Sequence, residues 1–271
     1  MNKFVSIFLF TCLCCLQGVA QITFQPKEMS VENKGVVYNK ELAFDFKLHT
    51  NGIAIGANFG KIKTYYLTRY VNIEIGELKH NREFRQSKDY PSIFDTRPSR
   101  SFVLGKKNNL YAIRAGIGFK KYFSEKAKKK GLAIGINYQV GPTLGLIKPY
   151  YLEVFKERDS GHSHGGNNDF SIVSVKYTEA NQSSFLDYNS IYGSSPFTKG
   201  LSELGIAPGA HGKFGVHFDW GAFDQYVKAF EAGIMVDVFF RKIELMVPVD
   251  SIVNRPFFVN LYLNLHIGKR R

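Results

Sequence analysis

Near the end of the chain, Val259, Leu261, Leu263, Leu265 and Ile267 alternate with Asn260, Tyr262, Asn264 and His266. A two-residue period puts successive side chains on opposite faces of an extended chain, so this segment is predicted to be a strand with one apolar and one polar face. Seven earlier segments share the rhythm, giving eight predicted strands at about 41–49, 53–60, 64–77, 111–120, 132–141, 213–219, 230–238 and 259–267. Leu42, Phe44, Phe46 and Leu48 face away from Ala43, Asp45, Lys47 and His49 in the first. Arg69 falls on the apolar face of the third, a position suited to a boundary where a long side chain can snorkel.

The connections carry a second pattern. Thr50-Asn51-Gly52 is a tight-turn signal, and the connections after strands two, four and six are short. Those after strands three, five and seven are long, covering about 79–108, 148–209 and 241–256, with a short helix expected near 198–204. Barrels of bacterial outer membranes combine short turns at one end with long loops at the other. The pattern therefore predicts an all-β, eight-stranded antiparallel transmembrane β-barrel with long extracellular loops, whose last strand pairs with its first. A soluble β-sandwich is the structural alternative. Inside a barrel of eight strands, side chains fill the lumen. Asp45, Lys47, Glu74, Arg114, Lys120, His217, Asp219, Glu231, Asp237 and His266 are expected to pair there as a polar plug.

The first twenty residues read as an export signal, with Lys3 before an apolar run and Gly18-Val19-Ala20 before a cut at Gln21. Residues 21–40 then form a periplasmic lead-in to a barrel over 41–271. All three cysteines (Cys12, Cys14, Cys15) lie in the signal, and the residues before them fit a lipid anchor poorly. After residue 20 no apolar run reaches the roughly 18 residues of a membrane helix, so a membrane span has to be made of strands. Without Lys3, 36 basic residues become 35 against 23 acidic, a net charge of +12. Such a balance favours acidic partners, and export makes nucleic acid an unsuitable one. Aromatic residues, 15% of the chain, suit the girdles of a membrane barrel.

Few residues suggest chemistry. His162 and His164, with Asp159 or Asp169, are weak candidates for a metal site, because no third ligand has a diagnostic spacing. His211, Asp187 and Ser202 are the residue types of a nucleophilic triad, but no Gly-x-Ser-x-Gly elbow supports them. No catalytic residue, cofactor or metal is therefore assigned. Lys126, Lys128, Lys129 and Lys130 form the strongest charge run, and by loop parity they face periplasmic partners or lipid phosphates. In the longest loop, Tyr150, Tyr151, Phe185, Tyr188 and Tyr192 suggest a packed cap or a docking surface.

The run Asn109-Leu-Tyr-Ala-Ile-Arg-Ala-Gly-Ile-Gly-Phe-Lys-Lys-Tyr122, continuing to Lys148-Pro-Tyr-Tyr-Leu152, resembles the centre of small outer-membrane barrels of the OmpA/OmpX-like architecture. More narrowly, with a signal ending Val19-Ala20-Gln21, the chain resembles outer-membrane barrels of Bacteroidota. One departure is that typical barrels end on an aromatic residue, whereas this one continues past the last strand into Gly268-Lys269-Arg270-Arg271. The resemblance implies architecture, and no functional residue comes with it. The expected function is a non-enzymatic barrel that serves as an accessory or docking subunit of an envelope assembly, transport or secretion machine. Its expected partners are outer-membrane lipid, lipopolysaccharide and other envelope proteins. The alternatives are a lipid-modifying enzyme and a narrow channel or small-ligand binder.

Overall fold

The computed structural model describes residues 38–64, 66–88, 99–123, 131–157, 170–222, 224–249 and 252–271. The expected export signal, most of the lead-in, the 126–130 lysine run and both His162 and His164 lie outside them. In chain order the strands are β1 (Lys40–His49), β2 (Gly52–Thr64), β3 (Leu67–Leu78), β4 (Arg85–Gln86), β5 (Phe102–Val103), β6 (Asn108–Tyr122) and β7 (Ala133–Pro149). There follow β8 (Tyr151–Glu157), β9 (Phe170–Lys176), β10 (Ile191–Ser194), β11 (Gly205–Asp219), β12 (Tyr226–Phe239) and β13 (Phe257–Arg270). The long antiparallel strands close a barrel in the order β1-β13-β12-β11-β7-β6-β3-β2. β1 pairs with β13 from Glu41↔Arg270 to His49↔Tyr262, so the last strand closes on the first as the strand count and loop lengths imply.

The barrel is inverted relative to a soluble protein. Phe44, Phe46, Ile55, Ile73, Phe214, Leu261 and Leu263 are each about half exposed on its outside. From Phe257 to Ile267, ten residue steps of about 3.4 Å, inclined at about 40°, project to roughly 26 Å, close to the ~25 Å apolar band of membrane barrels. Phe123, Trp220 and Tyr226 stand exposed where the short connections meet the strands. Phe240 and Phe257 do so at the other end. These are the positions of two aromatic girdles.

Most barrel strands run longer than their periodicity suggests, and the extensions of β7, β11 and β13 change the picture. β7 runs on to Pro149 although Gly141-Pro142 reads as a break. Pro142 has no N–H, and the β6–β7 ladder skips there from Arg114↔Thr143 to Ile117↔Val140, but β7 stays paired with β11 throughout. β11 begins at Gly205, inside the expected loop, because its first residues are the Gly-, Pro- and Ala-rich kind that usually mark turns. β13 continues to Arg270, so the charged tail expected beyond the last strand is part of the barrel wall.

The long connections fold as well. β8, β9 and β10 make a three-stranded sheet, and β4 pairs with β5. Helix α1 (Gln182–Leu186) follows a short 3-10 turn, and the helix expected near 198–204 is a single 3-10 turn over Leu201–Glu203. Leu152, Val154, Phe102, Phe185, Ile191 and Val247 form the core of this cap. A separate cluster seals the barrel mouth: Leu78, Leu110, Phe239 and Phe258 from the wall surround Ile243 and Leu245 from the β12–β13 connection. Asn254 holds that plug in place, its Oδ1 accepting from the Leu245 and Met246 amides at 3.1 and 3.2 Å.

Candidate functional site

Two places concentrate polar chemistry: the lumen and a pocket under the cap. All ten charged or histidine residues expected inside are buried. Arg114 spans the lumen, donating to Asp237 through Nε and Nη2 at 2.7 and 2.9 Å and to Glu74 through Nη1 at 2.8 Å. Lys47 completes this group by donating to Glu74. Toward the short-turn end, Glu41 accepts from Lys120 at 2.8 Å and from Arg270 at 2.9 Å, and Arg270 also donates to Asp219 at 2.8 Å. Arg270, expected outside the strand, instead locks the end of the barrel.

Between these groups, His266 Nδ1 lies 2.6 Å from Asp45 and its Nε2 lies 3.0 Å from Glu231. Both ring nitrogens can donate only in the imidazolium form. The lumen buries six carboxylates (Glu41, Asp45, Glu74, Asp219, Glu231, Asp237) against five lysine and arginine side chains (Lys47, Arg114, Lys120, Lys213, Arg270). A protonated His266 balances them. His217, Glu231 and His266 form a group of metal-ligand types among the described residues. Both nitrogens of His266 already face carboxylates, and Lys213 Nζ stands 3.7 Å from Glu231, so the geometry is that of an ion-pair lock. Large side chains such as Arg114, Tyr70 and Lys120 are fully buried here, so this part of the lumen is packed with side chains.

The Ser–His–acid possibility does not assemble. His211 is inside the barrel, 2.9 Å from Thr143 Oγ1 and 3.0 Å from Gln139 Nε2. Asp187 caps a 3-10 turn in the loop, accepting from the Asn189 amide at 3.0 Å, and Ser202 is exposed in another. The periodicity of β11 points His211 inward, which separates it from both.

The pocket lies on the long-loop side, with a volume of about 550 Å³, within the ~300–1,000 Å³ of small-ligand sites. The barrel rim supplies Glu77, Asn109, Tyr111 and Lys148, and the cap supplies Arg85, Arg100, Tyr150, Tyr151, Ser195 and Phe197. Lys106 pairs with Glu83 at 2.5 Å, and Lys79 with Glu77 at 3.2 Å. Buried Lys148 donates to the Phe197 carbonyl at 2.6 Å and lies 3.9 Å from that ring's centroid. Arg85, Arg100 and Lys199 also line the pocket without a carboxylate partner among the described residues. Ser195 Oγ is buried with no hydrogen-bond partner among the described residues.

Tyr150 and Tyr151, the aromatic contacts expected from the sequence, both line this pocket. The Tyr150 hydroxyl accepts from the Val103 amide at 3.2 Å, and burial pushes its pKa up, so it stays protonated. Tyr151 donates to Glu203 at 2.6 Å, an interaction that raises the phenol pKa. Lys176 and that phenol hold Glu203 below the usual carboxylate range and fasten the 3-10 turn to the cap. The arginines were missed because Arg85 and Arg100 are 15 residues apart in a polar loop with no periodicity. They meet only because β4 pairs with β5 and β10 packs beside Arg100.

Gly193 permits that approach: a Cβ there would stand 2.7 Å from the Arg100 carbonyl oxygen. Gly193→Val is expected to cost the cap about 1–3 kcal/mol through overpacking. Limited proteolysis should then cut the cap faster while the barrel fragment persists.

No protein-family model matches the chain, and no curated protein matches it. Among solved structures, it is similar to the crystal structure of Neisserial surface protein A, at 9% identity and a TM-score of 0.33, over 86% of this chain and 95% of that one. The narrower resemblance to barrels of Bacteroidota thus rests on the sequence segments that suggested it.

Proposed function

We propose that this chain is an outer-membrane β-barrel that catalyses no reaction and docks other envelope components through its cap. The observation that carries the reading is the inversion of the fold, with an apolar band outside and a charge-balanced, packed lumen inside. Apolar residues about half exposed all round a closed barrel suit lipid far better than water. In this reading residues 1–20 are the export signal, 21–40 the periplasmic lead-in and 41–271 the barrel. The short turns then face the periplasm and the cap faces outward, in a small barrel of the kind found in Bacteroidota. A sealed mouth and a packed lumen disfavour a channel.

Its partners would be outer-membrane lipid, lipopolysaccharide and proteins of an assembly, transport or secretion machine. The pocket favours a second, compatible reading as a small-ligand site. Its Arg85, Arg100 and Lys199, which have no carboxylate partner among the described residues, lie beside hydroxyl and aromatic groups and suit an anionic group carried by such a partner. Affinity purification from native membranes tests both readings. A stoichiometric partner lost on combining Arg85→Gln with Arg100→Gln is the expected result. A lone monomer would overturn the docking role, and recovery in a detergent-free soluble pool would overturn membrane residence.

A further inference from the structure

At the short-turn end, the register aligns cations with cations. Lys40 pairs with Lys61 across β1 and β2, and Lys61 pairs with Arg69 across β2 and β3. Strand alternation points all three out of the barrel, and all are exposed. Lys63 and Lys121 extend the same outward patch, Lys121 lying opposite Leu67. Like charges directly opposite on neighbouring strands repel and destabilise the pair. None of the five has a carboxylate partner among the described residues. Of the acids at this end, Glu41 and Asp219 face inward and are already paired, and Asp224 lies in the β11–β12 connection, between strands that do not border the patch. Among the described residues, no side-chain carboxylate therefore supplies these cations with a counter-charge.

The patch also has an aromatic border. Arg69 pairs with Phe119, which stacks on Tyr138 at 5.4 Å between ring centroids, and Lys121 Nζ is 6.0 Å from the Phe123 ring centroid. Cations beside rings at the edge of an apolar band are placed where lipid phosphates lie. We propose that the outward face of β1, β2, β3 and β6 at this end is a binding site for anionic phospholipid headgroups. Lys61, Arg69 and Lys121 contact the phosphodiester, and Phe119 and Tyr138 lie along the acyl chains. The inference rests on the membrane reading above.

The test uses the full chain refolded into vesicles of phosphatidylcholine alone, or mixed equally with phosphatidylglycerol. Insertion is scored first, by heat-modifiable migration and protease protection. Lipid retention is then measured by native mass spectrometry. Phosphatidylglycerol should be retained well above phosphatidylcholine, each of the three cations contributing roughly fivefold. The Lys61→Gln/Arg69→Gln/Lys121→Gln protein should insert into phosphatidylcholine as the parent does, since it loses repulsion, but lose the preference. A control with Arg82, Arg241 and Lys242 changed to Gln at the other end should keep it. Insertion without a preference, an unaffected triple variant, or an equal loss in the control would each overturn the lipid site alone. Failure of the parent to insert would overturn the membrane reading and the lipid site with it.

Discussion

Asp237→Ala is expected to cost the barrel about 3–5 kcal/mol of unfolding free energy, because it leaves a buried guanidinium half paired. Arg114 spends two of its donors on Asp237, and its remaining carboxylate, Glu74, is shared with Lys47. Removing Asp237 alone therefore puts two cations on one acid in a closed space. Converting the pair together, Arg114→Met with Asp237→Leu, leaves Lys47–Glu74 neutral and should recover most of the loss. Urea unfolding in detergent, followed through the single tryptophan Trp220, measures both proteins. A loss under about 1 kcal/mol for Asp237→Ala, or no recovery in the double variant, would show that the lumen tolerates an unpaired charge through water.

Leu263→Arg should cost about 2–4 kcal/mol in a bilayer, where the residue lies near the middle of the apolar band. Ile267→Arg, close to the aromatic girdle, should cost about 0–1 kcal/mol. The contrast separates the two environments that the sequence pattern allows. On a water-facing surface both substitutions would stay within roughly 0.5 kcal/mol of the parent. Equal, small effects for the two in refolded vesicles would remove the physical basis for placing this barrel in a membrane.

The legible parts of this protein come from patterns along the chain. The pairing of last strand with first follows from the even strand count and the alternation of loop lengths, and the facing of β1, β3, β6 and β13 and the inward set from Asp45 to His266 follow from a period of two. Where that signal is weakened by Gly and Pro, as at Gly141-Pro142 and 205–208, strands look like loops although their partners hold them extended. Tyr150 and Tyr151 were visible as aromatics in a long loop. The pocket they line was not, because it depends on β4 pairing with β5 and on β10 approaching Arg100.

The sequence alone determined which side of each strand is apolar, since alternation is a local property that every neighbour inherits. It also determined that an inward charge needs an opposite partner, since burial forbids anything else. Only the tertiary structure decided which charge meets which. It placed Arg114 between Asp237 and Glu74, His266 between Asp45 and Glu231, and Arg270 inside the wall. It also decided that Lys40, Lys61 and Arg69 stand side by side. Register and barrel closure are collective, and no stretch of chain carries the position of its partner strand by itself.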